Sequence, residues 1–126
     1  MIVYEFDNET KCDNLEELQE VLRHRSKNNS NDFEIRPDQG FPFLTILIKD
    51  ELACVHYFRD ETDCGHYVYI DNNEVAEEYI VFNIGSENSV TEISKDLVIP
   101  VEVAYMAAID FYNTNEMSTR MKWFEL

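Results

Sequence analysis

Between Phe41 and Ile84 the chain alternates short apolar segments with polar connections, and most of these are too short to carry a crossover. Phe41–Ile48, Leu52–Phe58, His66–Ile70 and Tyr79–Ile84 read as strands, joined through Asp50-Glu51, Asp60–Gly65 and Asp71–Glu77. Parallel neighbours need a connection of about a dozen residues or more, so the middle of the chain is predicted to be an antiparallel meander. Phe41–Ile48 is nearly continuous in apolar residues and is predicted to be central, covered on both faces. After a turn at Gly85–Asn88, Val90–Ile93 and Leu97–Ile99 add two short strands.

A helix flanks the meander on each side. Near the start, after a strand at Ile2–Phe6, Asp13 and Glu16 have capping-box spacing. Leu15, Leu18, Val21 and Leu22 then share one helical face. Acids come early in this segment and Arg23, Arg25 and Lys27 come late, which suits the helix dipole. Asn28–Asp32 is predicted to be a polar loop, followed by a short strand at Phe33–Arg36. Near the end, Pro100 is predicted to open a helix from its first turn. Ala104, Ala107, Ala108 and Phe111 form its buried stripe, and Asn113-Thr114-Asn115 stops it. Thr119–Phe124 closes as a strand with Met121 and Trp123 on one face. The fold class is therefore α+β: one mostly antiparallel sheet with an early and a late helix packed on it. A length of 126 residues makes one domain, 1–126, with roughly 7,000 Å² of surface expected for that size. Three Gly and three Pro leave no room for long flexible linkers.

Charge excludes several function classes. Twenty-six acids against ten Lys and Arg leave −16. Binding nucleic acid through its phosphates, or an anionic membrane surface, needs the opposite sign. The N-terminal segment lacks the pattern of a signal peptide, and three cysteines without framework spacing suit a reducing compartment, so the chain is predicted to be cytoplasmic.

Catalysis has no motif to rest on. There is no Gly-rich phosphate loop, no GxSxG elbow and no zinc-deaminase signature. Cys54-Val55-His56 and Cys64-Gly65-His66 are two Cys-x-His pairs, but their spacing differs from usual zinc patterns. They are read as core and turn residues. His24 is placed on the polar side of the first helix, in solvent. The chain is thus expected to be no enzyme, with no metal and no cofactor.

The charge distribution is more informative. Thirty-five residues, from Asp60 to Ser94, contain nine acids and neither Lys nor Arg. Asp60, Glu61 and Asp63 fall on one turn, and Glu74, Glu77 and Glu78 on the next long connection. They form either a solvated face or a negative surface that steers and docks a basic partner. Tyr57, Tyr67 and Tyr69 are candidate aromatic anchors, each also suited to the core.

Ile99-Pro100 leading into Ala104, Ala107, Ala108, Phe111 and Thr114, followed by Trp123, resembles the type 1 immunity protein family of bacterial polymorphic and contact-dependent toxin systems. Leu52–Phe58 resembles that family's strand with a small residue and then an aromatic pair. The resemblance covers about residues 40–126. Asn115 and Met117-Ser118 stand where the family tends to have Gly and Pro. It implies an α+β fold with a characteristic late Trp, taken here as core. It also implies a function in binding and neutralising a cognate toxin, often a deaminase or nuclease, with no catalytic residues to carry over. The partner would be a toxin domain with a basic surface, held one to one by a protein that is monomeric when free, its substrate cleft occluded by the six acids named above. The alternative is an acidic nucleic-acid mimic or adaptor without a toxin partner.

Overall fold

The computed structural model describes residues 1–37 and 40–126. It contains ten strands and two α-helices: β1 (Ile2–Tyr4), β2 (Glu9–Lys11), α1 (Leu15–Val21), β3 (Ser30–Arg36), β4 (Phe43–Lys49), β5 (Leu52–Phe58), β6 (His66–Tyr69), β7 (Tyr79–Asn83), β8 (Val90–Ser94), β9 (Ile99–Pro100), α2 (Val101–Thr114) and β10 (Lys122–Glu125). The main sheet runs β10-β6-β5-β4-β3-β1-β2, and β9 pairs with the Leu52–Ala53 end of β5. All its pairings are antiparallel. The predicted α+β class, with a meander through β3–β6, is the fold observed. β7 and β8 leave the sheet and pair as a separate ribbon.

Alternation along the strands sorts the residues into two faces. One carries Leu44, Ile46 and Ile48 of β4 with Val55 and Tyr57 of β5, and both helices pack on it. Leu18 and Val21 come from α1 and Leu22 from its C-cap, and Ala104, Ala107, Ala108 and Phe111 from α2. The alanine stripe is buried as expected. The ribbon covers part of the opposite face through a smaller core of Leu47, Cys54, Phe82 and Val98. Phe43 and Thr45, on that same face, remain only partly covered. β4 is therefore buried fully on one side and incompletely on the other.

Several predicted boundaries shift. The N-cap of α1 is Asn14, whose side chain accepts from Glu17 N at 2.9 Å, while Glu17 Oε1 accepts from Asp13 N at 3.1 Å. The reciprocal cap lies one residue after the predicted Asp13/Glu16 pair. α1 ends at Val21, so the predicted basic residues lie beyond it. Arg25 still donates to Leu22 O at 2.7 Å, serving the helix end as a side-chain cap. β3 begins at Ser30, not Phe33, because its polar start is satisfied by side-chain bonds. Asn31 donates to His24 O at 2.9 Å and to Glu5 Oε1 at 3.1 Å. The strand predicted at Leu97–Ile99 is a 3-10 turn at Lys95–Leu97 followed by β9. Pro100 is the N-cap of α2 rather than its first residue. At the other end Asn115 is left-handed, φ 60°, and donates to Phe111 O at 2.7 Å.

Candidate functional site

The two predicted acidic clusters stand at opposite ends of β6. Four residues separate the ends, a span of about 13 Å at the usual strand rise. Asp60, Glu61 and Asp63 lie on the β5–β6 turn, beyond Phe58, and Glu74, Glu77 and Glu78 lie on the connection leading into the ribbon.

Their carboxylates are not equivalent. Asp60 accepts from Thr62 Oγ1 at 2.7 Å and Thr62 N at 2.9 Å, which hold its pKa below the usual carboxylate value. Asp63 accepts from Arg59 N at 2.8 Å and Gly65 N at 2.9 Å, with the same effect. These two acids build the turn (an Asx-type arrangement) as well as charging it. Glu61, Glu74, Glu77 and Glu78 are exposed. Asp71, between the clusters, pairs with Lys122 of β10.

Composition and spacing left a third surface unseen. On the face away from the helices, an open cleft of about 550 Å³ runs between the main sheet and the ribbon. Thr45 and Leu47 lie on its floor strand, and Thr91 and Ile93 of β8 contribute one wall. An aromatic ladder crosses this face. Phe43 stacks on Phe58 with ring centroids 4.7 Å apart, His56 meets Phe58 at 4.0 Å, and His56 stacks on Tyr67 at 3.8 Å. The Arg36 guanidinium lies 4.0 Å above the Phe43 ring and binds Glu34 at 2.7 Å. Glu5, Asp32 and Glu34 supply carboxylates to the same cleft.

Burial has acted on several of these groups. It raises the pKa of Asp32, which accepts one bond at 2.8 Å from Gly85 N of the ribbon turn. It lowers that of His56, whose ring is therefore neutral at pH 7. It raises that of the Tyr67 phenol as well. Glu5 is held by His24 Nδ1 at 3.1 Å; His24 lies beyond the end of α1 and is exposed to solvent, as expected, while making this polar contact. Of the three anchor candidates, Tyr57 is buried in the helix-side core against Phe111 and Trp123, and Tyr67 lines the cleft. Tyr69 is half-buried on β6, in register with Lys122. The signal for the cleft was the alternation Phe43/Thr45/Leu47 and Cys54/His56/Phe58, which places polar residues within an otherwise apolar face.

The two Cys-x-His pairs do not converge. Cys54 and His56 share the cleft face, and burial raises the Cys54 thiol pKa to about 12. His66 pairs with Tyr57 and is buried, while Cys64 is exposed on the turn. Among the described residues no group of three or more His, Cys, Asp or Glu is placed to hold a metal ion. No helix among them is long and apolar enough to cross a membrane.

The surface offers separated negative clusters and a cleft with aromatic walls, both suited to binding a protein. No protein-family model matches the chain. Over its whole length it is similar to the double-stranded DNA deaminase immunity protein of Burkholderia cenocepacia (strain H111), with 29% identity over 130 aligned residues covering all of both chains.

Proposed function

We propose that this protein binds and neutralises a toxin that deaminates nucleic acid, acting as an immunity protein and not as an enzyme. The observation that carries the proposal is the end-to-end similarity to an immunity protein against a double-stranded DNA deaminase. Residues 99–123, which resemble the type 1 immunity family, are mainly the packed stripe of α2 and the edge of β10. They support a shared scaffold rather than a shared interface.

The physical logic of inhibition follows from charge. A deaminase acting on duplex DNA needs a basic surface for its substrate. A protein of net charge −16 can occupy that surface in place of phosphates. A standard interface of about 800 Å² per partner would use about a ninth of the 7147 Å² accessible surface. Exposed acids steer the encounter, whereas affinity comes from a few desolvated anchors. Asp60, Glu61 and Asp63 at one end of β6, and Glu74, Glu77 and Glu78 at the other, supply the steering charge. The inhibited state is a one-to-one complex in which the substrate cleft is blocked.

The test is titration. Where a toxin gene adjoins this chain's gene, its deaminase domain is purified, and deamination of a duplex oligonucleotide is followed as the protein is added. Activity should vanish at equimolar protein, with the two chains eluting together. Full activity in a large excess of folded protein overturns the proposal.

A further inference from the structure

The cleft on the open face of the sheet has the chemistry of a guanidinium receptor, and we infer that it receives an arginine side chain presented by the partner protein. This deepens the proposed function by assigning the anchor that the acidic clusters do not supply.

Three observations converge on it. The first is shape. β3 and β5 flank β4, with Asp32 opposite Leu47 and His56 opposite Thr45, so the two stand diagonally across β4, about 12 Å apart at the usual strand spacing and rise. That gap accepts one planar group lying between a carboxylate and an aromatic wall.

The second is charge. Glu34 is neutralised by Arg36 and Glu5 faces His24, whereas among the described residues the Asp32 carboxylate accepts from a backbone N–H, that of Gly85, and pairs with no cationic side chain. Asp32 is a partly desolvated carboxylate in a protein with a large negative excess. A cation placed beside it gains more than it would beside an exposed glutamate.

The third is an internal precedent. Arg36 already sits 4.0 Å over the Phe43 ring while binding Glu34, at the aromatic end of the same face. The stacked pair His56–Tyr67, together with Asp32, repeats that aromatic-and-carboxylate combination without an arginine of this chain in it. Arginine fits better than lysine because its plane stacks on rings and its N–H fork matches a carboxylate. Phe41 and Phe124, exposed on the same face, extend the apolar rim beyond the cleft. A macromolecular surface can cover such a rim, whereas a small amine cannot.

The experiment has two arms. In the first, the isotopically labelled protein is titrated with the tripeptide acetyl-Gly-Arg-Gly-amide and with its citrulline counterpart, which has the same shape and no charge. Shifts should concentrate on Asp32, Thr45, His56 and Tyr67. The citrulline peptide, and the folded variant Asp32→Asn, should each bind about tenfold more weakly, the effect of losing one charge-assisted bond. Equal binding of the two peptides, or shifts spread evenly over Glu61, Glu74, Glu77 and Glu78, overturns the inference. In the second arm, Asp32→Asn and the cleft-filling Thr45→Trp are tested for affinity toward the deaminase that the wild-type protein inhibits. A loss of about tenfold or more in Asp32→Asn supports the inference, and wild-type affinity in both folded variants overturns it. Should the wild-type protein inhibit no deaminase, the neutralising function falls while the peptide arm still decides what the cleft binds.

Discussion

Gly65 lies so close beneath His56 that a Cβ added to it would sit 1.9 Å from His56 Nε2. Its φ of +103° belongs to the region that only glycine enters readily. The side chain above it cannot swing aside easily, because His56 is held between Phe58 and Tyr67. The acidic turn and the aromatic ladder of the cleft are thus locked to each other through one glycine. Gly65→Ala should destabilise the fold by about 1–3 kcal/mol, from overpacking and backbone strain together. Urea melting checks it. Adding His56→Ala should recover the overpacking part only, since the backbone strain remains.

Protonation of His56 sets a second expectation. Burial holds its pKa below the ordinary 6.5, against the weaker pull of the Cys64 carbonyl and Asp63. The folded state refuses a proton that the unfolded chain accepts. Its contribution to stability is therefore present above pH 6.5 and is lost as pH falls through the folded value. Asp60 and Asp63 act lower, because their pKa values lie below 3.8 in the fold. Their contribution is present above that value and disappears as pH falls through the folded values. In denaturant melts across the acid range, His56→Phe should remove the part of the pH dependence that begins near 6.5 and leave the carboxylate part. Identical pH profiles for the two proteins would show that His56 is not buried as described.

Trp123 is more exposed than a late core Trp was expected to be. It is half-buried on the edge strand β10, with its ring edge-on to Tyr57 at 6.1 Å and its Nε1 donating to Ser118 O at 2.9 Å. Ser118 in turn donates to Asp110, which also binds Arg120 through two bonds of 2.8 Å. This clasp ties α2 to the last strand. Trp123→Ala should cost about 2–4 kcal/mol, less than the largest values for a fully buried Trp. Ala107→Leu should cost about 1–3 kcal/mol by overpacking α2 against the sheet. Both are measured by denaturant melting. A Trp123→Ala protein that melts like wild type but no longer inhibits the toxin would place Trp123 in the interface instead.

Elements whose burial pattern is simple were legible from residue order. β5 has its predicted bounds, and the Ala104/Ala107/Ala108/Phe111 stripe is the buried face of α2. Elements whose polar residues are satisfied by distant partners were not. Ser30–Asp32 looks like a loop until Glu5 and His24 are brought beside Asn31. β2 is a three-residue edge strand, Glu9–Lys11, with no apolar alternation to announce it. The acids were legible as a run, but which carboxylates build turns and which face solvent depends on local geometry. The cleft was hidden for a related reason. It is formed by the β7–β8 ribbon folding over β4 and β5, a tertiary arrangement that the polar residues on the outer face of those strands hint at but do not specify.

The separation of the acidic clusters by β6 makes their roles separable by experiment. The β5–β6 turn follows directly from Phe58, at the aromatic end of the sheet, whereas Glu74, Glu77 and Glu78 adjoin the ribbon. Reversal of Glu74, Glu77 and Glu78 to Lys touches only exposed side chains, so the fold should tolerate it within about 0.5 kcal/mol. In the first cluster Glu61→Lys is the clean substitution, because replacing Asp60 or Asp63 removes the bonds that close the turn. Rim charges act mainly on encounter, so each reversal should slow association with the toxin and flatten its dependence on salt. An acid that becomes buried against a toxin Lys or Arg should instead cost about 2–5 kcal/mol when truncated, mostly through faster dissociation. Association and dissociation rates at two ionic strengths distinguish the two cases. The turn beside Phe58 is expected to show the larger effect, because a partner engaging the aromatic ladder would pass over it. If both clusters can be reversed without altering either rate, the acidity is a solvated surface, and the binding energy must come from the aromatic cleft or from Glu16, Glu17 and Glu20 on α1.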